Sequence, residues 1–286
     1  MKTQKTWSTP ITSEKSALVP CALCGKEDFK PYLSGNGFSY VRCLSCNLVQ
    51  INPQPEQSAV HKRYAGDGYF NYELSNERAF FRLGKLTLYD ANISELEKFA
   101  DQIGNRRVLE IGSATGSLLE FLVWRGWEAQ GVEISEKEAE YARTKRALSV
   151  SSFPLEENNF PDNYFSLVIA FHLIEHLNNP AAFLREVKRV LAPGGRFLVT
   201  TPNVDGFQAH LFGNKWRSAI FDHLYLFSKE TLSQFLLNEG FSLEKIVTWG
   251  GIAEGCAARP IKRAIDWAAK LFGFGDVMMI RAVKKE

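Results

Sequence analysis

The run Val108-Leu109-Glu110-Ile111 passes straight into Gly112-Ser113-Ala114-Thr115-Gly116, and that turn opens an apolar segment, Ser117 to Val123. A second short stretch, Gly131-Val132-Glu133-Ile134, follows and carries an acid. Strand, glycine turn, helix and a second strand ending in a carboxylate is the layout of a nucleotide-binding βαβ unit. The glycines let the backbone turn tightly and approach a ligand with no Cβ in the way, and Glu133 can accept hydrogen bonds from two ribose hydroxyls. A dinucleotide fingerprint would read G-x-G-x-x-G and seat a pyrophosphate on the helix N-terminus. Here the loop reads G-S-A-T-G, which points to a nucleoside without a pyrophosphate.

The later segments continue an α/β pattern. Phe165-Ser-Leu-Val-Ile-Ala170 reads as a buried strand, followed by His172-Leu-Ile-Glu-His-Leu-Asn-Asn-Pro180, a helix from Ala181 to Leu191, the turn Pro193-Gly-Gly195 and the strand Phe197 to Thr201. Together these resemble the class I S-adenosylmethionine-dependent methyltransferases. Their first motif, acid-x-Gly-x-Gly-x-Gly, corresponds to Glu110 through Gly116 and is broken at Ala114. Their fourth strand, Glu-His-Leu-x-x-Pro helix start and Pro-Gly-Gly turn correspond to the segments just quoted. The resemblance implies an α/β fold, a Rossmann-like seven-stranded methyltransferase sheet.

It also implies a cofactor site. S-adenosylmethionine would lie along Glu110, Gly112, Ser113, Ala114 and Gly116, with Glu133 on the ribose and Ile134 beside it. Ala170, Phe171 and His172, leaving the fourth strand, would line the sulfonium side. The family's acid after the third strand falls in Ser151-Ser-Phe-Pro-Leu-Glu-Glu157, where Pro154 stands; Phe153 and Leu155 would serve as apolar walls for the adenine instead.

Four of the five cysteines form two pairs, Cys21-Ala-Leu-Cys24 and Cys43-Leu-Ser-Cys46, separated by eighteen residues. C-x-x-C places two thiolates on one turn, and two such turns close a tetrahedral zinc ribbon. Gly25 and Asn47 follow each second cysteine, where the knuckle needs a residue tolerant of positive φ. Disulfides and redox pairs fit less well, because the N-terminus carries no cleavable apolar leader and the motif occurs twice without a thioredoxin-like context. Four thiolates leave no open coordination position, so the Zn2+ is expected to be structural. Cys256 is left over.

The expected organisation is a mobile tail at 1–17, the zinc ribbon at 18–55, a helical connector at 56–105, and the methyltransferase domain at 106–286 with cap insertions at 203–225 and 250–275. The connector holds Tyr64, Tyr69, Phe70 and Tyr72, then a helix predicted from about Arg78 to Ala100 whose Leu83, Leu86, Tyr89, Ile93, Leu96 and Phe99 form a packing face. The first insertion mixes aromatic and polar residues and reads as a substrate cap. The second includes an amphipathic helix opening at Pro260, with Lys262, Arg263 and Lys270 suited to an anionic surface, although packing on its own cap is the simpler fate.

Methyl transfer needs alignment of donor and acceptor and, for a hydroxyl acceptor, a base. His223, next to Asp222 in the cap, is the favoured base; His172 and His176, flanking Glu175, are the other candidates, and a structural role for Glu175 and His176 fits equally. N-terminal ribbon, tyrosine-rich connector and Asp222-His-Leu-Tyr-Leu-Phe-Ser228 are similar to a bacterial group of small-molecule and sugar methyltransferases. A small hydroxylated acceptor, a sugar or secondary-metabolite intermediate, is therefore the first reading. RNA methylation with the ribbon as a clamp is the second. The net charge of +2 and a ribbon whose cations are Lys26, Lys30 and Arg42, beside Glu27 and Asp28, offer little to a phosphate backbone. A noncatalytic cofactor-binding scaffold is the third. With no bilayer-spanning run the expected place is the cytoplasm; the sequence leaves the oligomeric state open.

Overall fold

The two cysteine turns are joined by a small antiparallel sheet. The computed structural model describes residues 16–35, 38–61, 64, 66–252 and 258–285. At its N-terminal side β1 (Ser16–Ala17) pairs with β5 (Gln54–Pro55), while β2 (Phe29–Gly35), β3 (Phe38–Cys43) and β4 (Val49–Ile51) form consecutive antiparallel neighbours. Ser16 and Ala17, expected in the tail, thus form a strand of a separate two-stranded sheet; residues 1–15 lie outside the described residues.

After α1 (Gln57–His61), the connector folds as two helices, not one: α2 (Asp67–Asp90) and α3 (Ile93–Gln102). The break is at Asn92, whose φ of 62° is left-handed, a conformation that asparagine tolerates better than most residues. That break splits the predicted packing face. Ile93 and Leu96 are buried, but Leu83, Leu86 and Tyr89 stay exposed, and Leu88 is the α2 residue that reaches the core.

The core then alternates strand and helix: β6 (Arg107–Ile111), α4 (Ser117–Trp124), β7 (Glu128–Val132), α5 (Glu136–Arg146), β8 (Ser149–Ser151), β9 (Phe165–Phe171), α6 (Pro180–Val190) and β10 (Leu191–Pro202). After α7 (Phe207–Phe212) and β11 (Tyr225–Leu226) come α8 (Lys229–Asn238), β12 (Phe241–Trp249), α9 (Arg259–Phe272) and β13 (Val277–Lys284). The large sheet has the order β12-β13-β10-β9-β6-β7-β8. β8, β7, β6, β9 and β10 run parallel, and β13 inserts antiparallel between β10 and β12. This mixed seven-stranded sheet is the architecture expected from the sequence.

Helices cover both faces, which is why β9 reads as an apolar run broken only by the buried Ser166. On one side Leu109, Phe165 and Val168 pack with Phe183 and Val187 of α6 and Leu232 and Phe235 of α8. On the other, Val108, Leu167 and Leu198 meet Leu88 of α2, Ile93 and Leu96 of α3, and Leu118 and Leu122 of α4. Chain order reverses between β6 and β9, so the crevice beyond their carboxyl ends is the natural ligand position.

One connection was not foreseen. β11, at the end of the first insertion, pairs antiparallel with β4, so the insertion supplies the fourth strand of the ribbon sheet, in the order β11-β4-β3-β2. Tyr40 of β3 donates to the carbonyls of Ile220 and His223, and Trp216 and Val204 of the insertion pack against Tyr40, Val49 and Ile51. Ribbon and first insertion form one unit. Of the second insertion, 253–257, including Cys256, lie outside the described residues.

Candidate active site

The turn after β6 is shaped by its own backbone. Gly112 and Gly116 have φ of 76° and 80°, and at Gly116 a Cβ would come within 2.6 Å of Leu148 Cδ1. Ala114 also has positive φ, 45°, a left-handed conformation that an L-residue adopts at a cost of about 1–2 kcal/mol. The strain is offset where it arises. The Ala114 N–H donates to Glu133 Oε2 at 2.9 Å, and the Ser135 N–H donates to Oε1 at 2.9 Å. Glu133 therefore clamps the turn to the end of β7, while only 9% of it remains exposed.

Acids crowd this crevice. Burial pushes the Glu133 carboxyl up to about 7, against the pull of its two N–H donors. Burial, with Glu133 nearby, pushes Glu110 up to about 8. Among the described residues Glu110 Oε2 and Ser113 Oγ are buried without a hydrogen-bond partner. A cationic ligand bearing N–H or O–H donors would answer both the surplus negative charge and these idle acceptors.

The connector helix supplies a wall that sequence reasoning missed. Tyr69 and Glu73 of α2 are hydrogen-bonded to each other close to Glu133, and burial first, then Glu133, Glu138 and Glu77, lifts Glu73 to about 7. Thr115 donates to Glu77 at 2.6 Å, Arg146 pairs with the same carboxylate, and the Ser135 hydroxyl donates to the Tyr64 carbonyl. The signal was present in the density of tyrosines from 64 to 72, but nothing local tells that a helix entering from the connector lies over the glycine turn.

The remaining predicted contacts follow or end β7, β8 and β9. Ile134 and Phe153 are exposed, Phe153 by 62%, whereas Leu155 and Ala170 are buried and Phe171 is partly so. His172 ends β9 with φ of 53° and half its side chain open, Nδ1 lying 3.4 Å from Glu175 Oε1. His176 and His223 are behind it, their ring centroids 4.7 Å apart. His223 is 9% exposed and its Nδ1 faces the Ser218 carbonyl at 2.8 Å. Burial, then the neighbouring His176, lowers its pKa to about 4. This makes His223 a weak and enclosed base, and His172 the most open of the three candidate histidines.

The four cysteines meet as the spacing predicts. Their sulfurs all lie within 4.8 Å of one another, with Cys21 and Cys46 at 3.4 Å and Cys24 and Cys43 at 3.6 Å. Tetrahedral zinc–sulfur bonds of about 2.3 Å would hold sulfurs roughly 3.8 Å apart, so the cluster has the size for one ion. Gly25 and Asn47 both carry positive φ, and each N–H closes on the carbonyl of the first cysteine of its pair.

Comparison with known proteins gives the family. A family model described as a methyltransferase domain matches residues 83–246. Ubiquinone biosynthesis O-methyltransferase of Aeromonas salmonicida is 29% identical over 126 residues, 41% of this chain and 52% of that protein. The chain thus spans about half the length of this curated relative. A crystal structure of a SAM-dependent methyltransferase from Thermotoga maritima aligns with TM-score 0.53 and 26% identity over 76% of this chain and 98% of that one. One from Archaeoglobus fulgidus aligns with TM-score 0.53 and 22% identity over 74% and 99%, which shows a shared fold.

Proposed function

The chain belongs to the methyltransferase-domain family, and on that premise we propose that it moves the methyl group of S-adenosylmethionine to the hydroxyl of a small molecule, such as a sugar or secondary-metabolite intermediate. The observation that carries the cofactor is the clamp of Glu133 on the Ala114 turn inside an acidic crevice. In this reading Glu133 accepts from the ribose hydroxyls, Glu110 and the turn from Gly112 to Gly116 hold the methionine end, Ile134, Phe153 and Leu155 flank the adenine, and Ala170, Phe171 and His172 line the methyl. The buried carboxylates complement the positive sulfonium and ammonium. The cofactor supplies an already activated methyl group, so the protein's work is alignment and removal of one proton.

For that proton His172 is favoured over His223. It stands open at the strand end, with Glu175 positioned to orient its ring, and its other nitrogen is left to accept the hydroxyl proton. His176 and His223 form the wall behind it. The four cysteines are assigned to a structural zinc ion.

A second partner is supported by α9. Its polar side is tied to the protein: Lys262 bonds Asp266 and the Ile252 carbonyl, Asp266 accepts from the Gly251 N–H, and Lys270 pairs with Asp90. Its apolar side points outward, with Trp267 66% and Phe272 69% exposed, alongside Ile261, Leu271 and the exposed Arg259 and Arg263. An apolar stripe with flanking cations suits peripheral contact with an anionic membrane surface. Among the described residues no helix is long and apolar enough to cross a membrane.

The decisive experiment incubates the full chain with methyl-labelled S-adenosylmethionine and fractionated small hydroxylated metabolites. Label is expected in a small-molecule fraction, and His172→Ala is expected to cut turnover by about 10²–10⁴ with cofactor affinity spared. Label found in RNA, or full turnover in His172→Ala, would overturn acceptor or base respectively.

A further inference from the structure

Glu175, besides orienting the His172 ring, belongs to a cluster with His176 and His223 whose chemistry methyl transfer as described does not use. Glu175 is fully buried, and among the described residues neither of its carboxylate oxygens accepts a hydrogen bond; the His172 Nδ1 at 3.4 Å is an ion-pair contact only. Leaving a carboxylate so placed is costly unless a cation compensates it. One ligand-capable atom each from Glu175, His176 and His223 lies within 4.8 Å of the other two.

The imidazole tautomers follow from their partners. His223 Nδ1 faces the Ser218 carbonyl at 2.8 Å, and His176 Nδ1 lies 2.8 Å from the Asp222 carbonyl and 2.9 Å from the Tyr64 hydroxyl, which donates to Asp222 Oδ2. A carbonyl only accepts, so each Nδ1 carries the proton and each Nε2 keeps a lone pair. The Nε2 atoms are thus the nitrogens available to an ion, and a buried carboxylate without a hydrogen-bond donor gains from a cation beside it. A histidine that gives its other N–H to a backbone carbonyl is also the usual second-shell arrangement of a metal ligand.

We propose that Glu175, His176 and His223 form a second metal site, distinct from the four cysteines, that takes a divalent first-row transition ion such as Zn2+ or Co2+. Two imidazoles and one carboxylate are a ligand set that leaves a fourth position open. Bonds of about 2.0–2.2 Å would draw the three donors to roughly 3.3–3.5 Å from one another, within reach of small side-chain movements. The site also joins the turn after β9 to the cap, so an ion there would fix His223 against the core. Its chemical role rests on the methyl transfer proposed above. An acceptor hydroxyl at the ion's open position would have its pKa lowered, and its proton would pass to His172 as the O–C bond forms and the C–S bond breaks, leaving the neutral thioether and a protonated His172. Binding of the ion does not depend on that role.

The test reads the ion alone. The full chain, stripped of metal and titrated with Co2+, is expected to show two spectral classes: thiolate charge transfer from the cysteine cluster, and weaker ligand-field bands without charge transfer from the nitrogen–oxygen site. Glu175→Gln and His223→Asn should each abolish the second class, keep the first, and lower bound metal by one ion per chain. Retained thiolate bands and an unchanged far-ultraviolet spectrum report that the variants are folded. A wild-type chain lacking the second class, or variants that retain it, would overturn the proposal. Loss of the thiolate bands in wild type would instead remove the ribbon zinc and leave this site standing.

Discussion

At the scale of single residues, the behaviour of Glu133 decides how the crevice responds to pH. Its carboxyl titrates near 7 in the folded chain instead of the ordinary 4.5, so between those values the folded state holds a proton that the unfolded state has lost. Stability contributed by this group is full below about 4.5 and falls as pH rises through 7. Cofactor binding runs the opposite way, because only the ionised carboxylate attracts a cationic ligand and accepts from two hydroxyls. Calorimetry is expected to show S-adenosylmethionine affinity rising from pH 6 to 8, and Glu133→Gln weakening it by about 10- to 100-fold while flattening most of the slope. Unchanged affinity in Glu133→Gln would end the ribose assignment. Much of this crevice was legible in the sequence, since glycine spacing and a strand-end acid are local signals. Tyr69 and Glu73 were not, because they reach Glu133 only through the packing of α2. Nor was the enclosure of His223: Asp222-His223 reads like an exposed cap dyad until Tyr40 is seen holding its backbone.

At the scale of elements, periodicity identified the apolar faces but not which way they point. In α9 the short-range pattern is amphipathic in either orientation, and what turns it inside out is a set of polar anchors from distant segments, Asp90 and the backbone at Gly251 and Ile252. The exposed Leu83 and Leu86 of α2 share that fate after the break at Asn92. If α9 meets a membrane, then Trp267→Glu with Leu271→Glu should abolish sedimentation with phosphatidylglycerol vesicles and leave the melting temperature near wild type. An apolar face that instead packs two copies together would reveal itself as a change of mass in light scattering with no lipid dependence.

At the scale of the whole molecule, a seven-stranded sheet and the cysteine cluster were foreseen, but their union was not, because strand pairing between residues 49–50 and 225–226 carries no local signature. The ribbon is seated in the same apolar cluster as the core: Cys21, Cys43 and Leu48 pack with Tyr225 and Phe227. Loosening the ribbon should therefore disturb the cap while sparing the Glu133 clamp. Cys24→Ser is expected to release zinc, lower Tm by roughly 6–12 °C, the shift that about 3 kcal/mol brings in a domain of this size, and reduce turnover with cofactor affinity near wild type. Full turnover in zinc-free Cys24→Ser protein would sever ribbon from function. A fragment beginning at residue 56 would keep the whole seven-stranded sheet, yet Tyr225 and Leu226 would then present a naked strand edge ready to recruit a neighbour's. Trimming this chain to its large sheet would turn a sealed edge into a seed of aggregation.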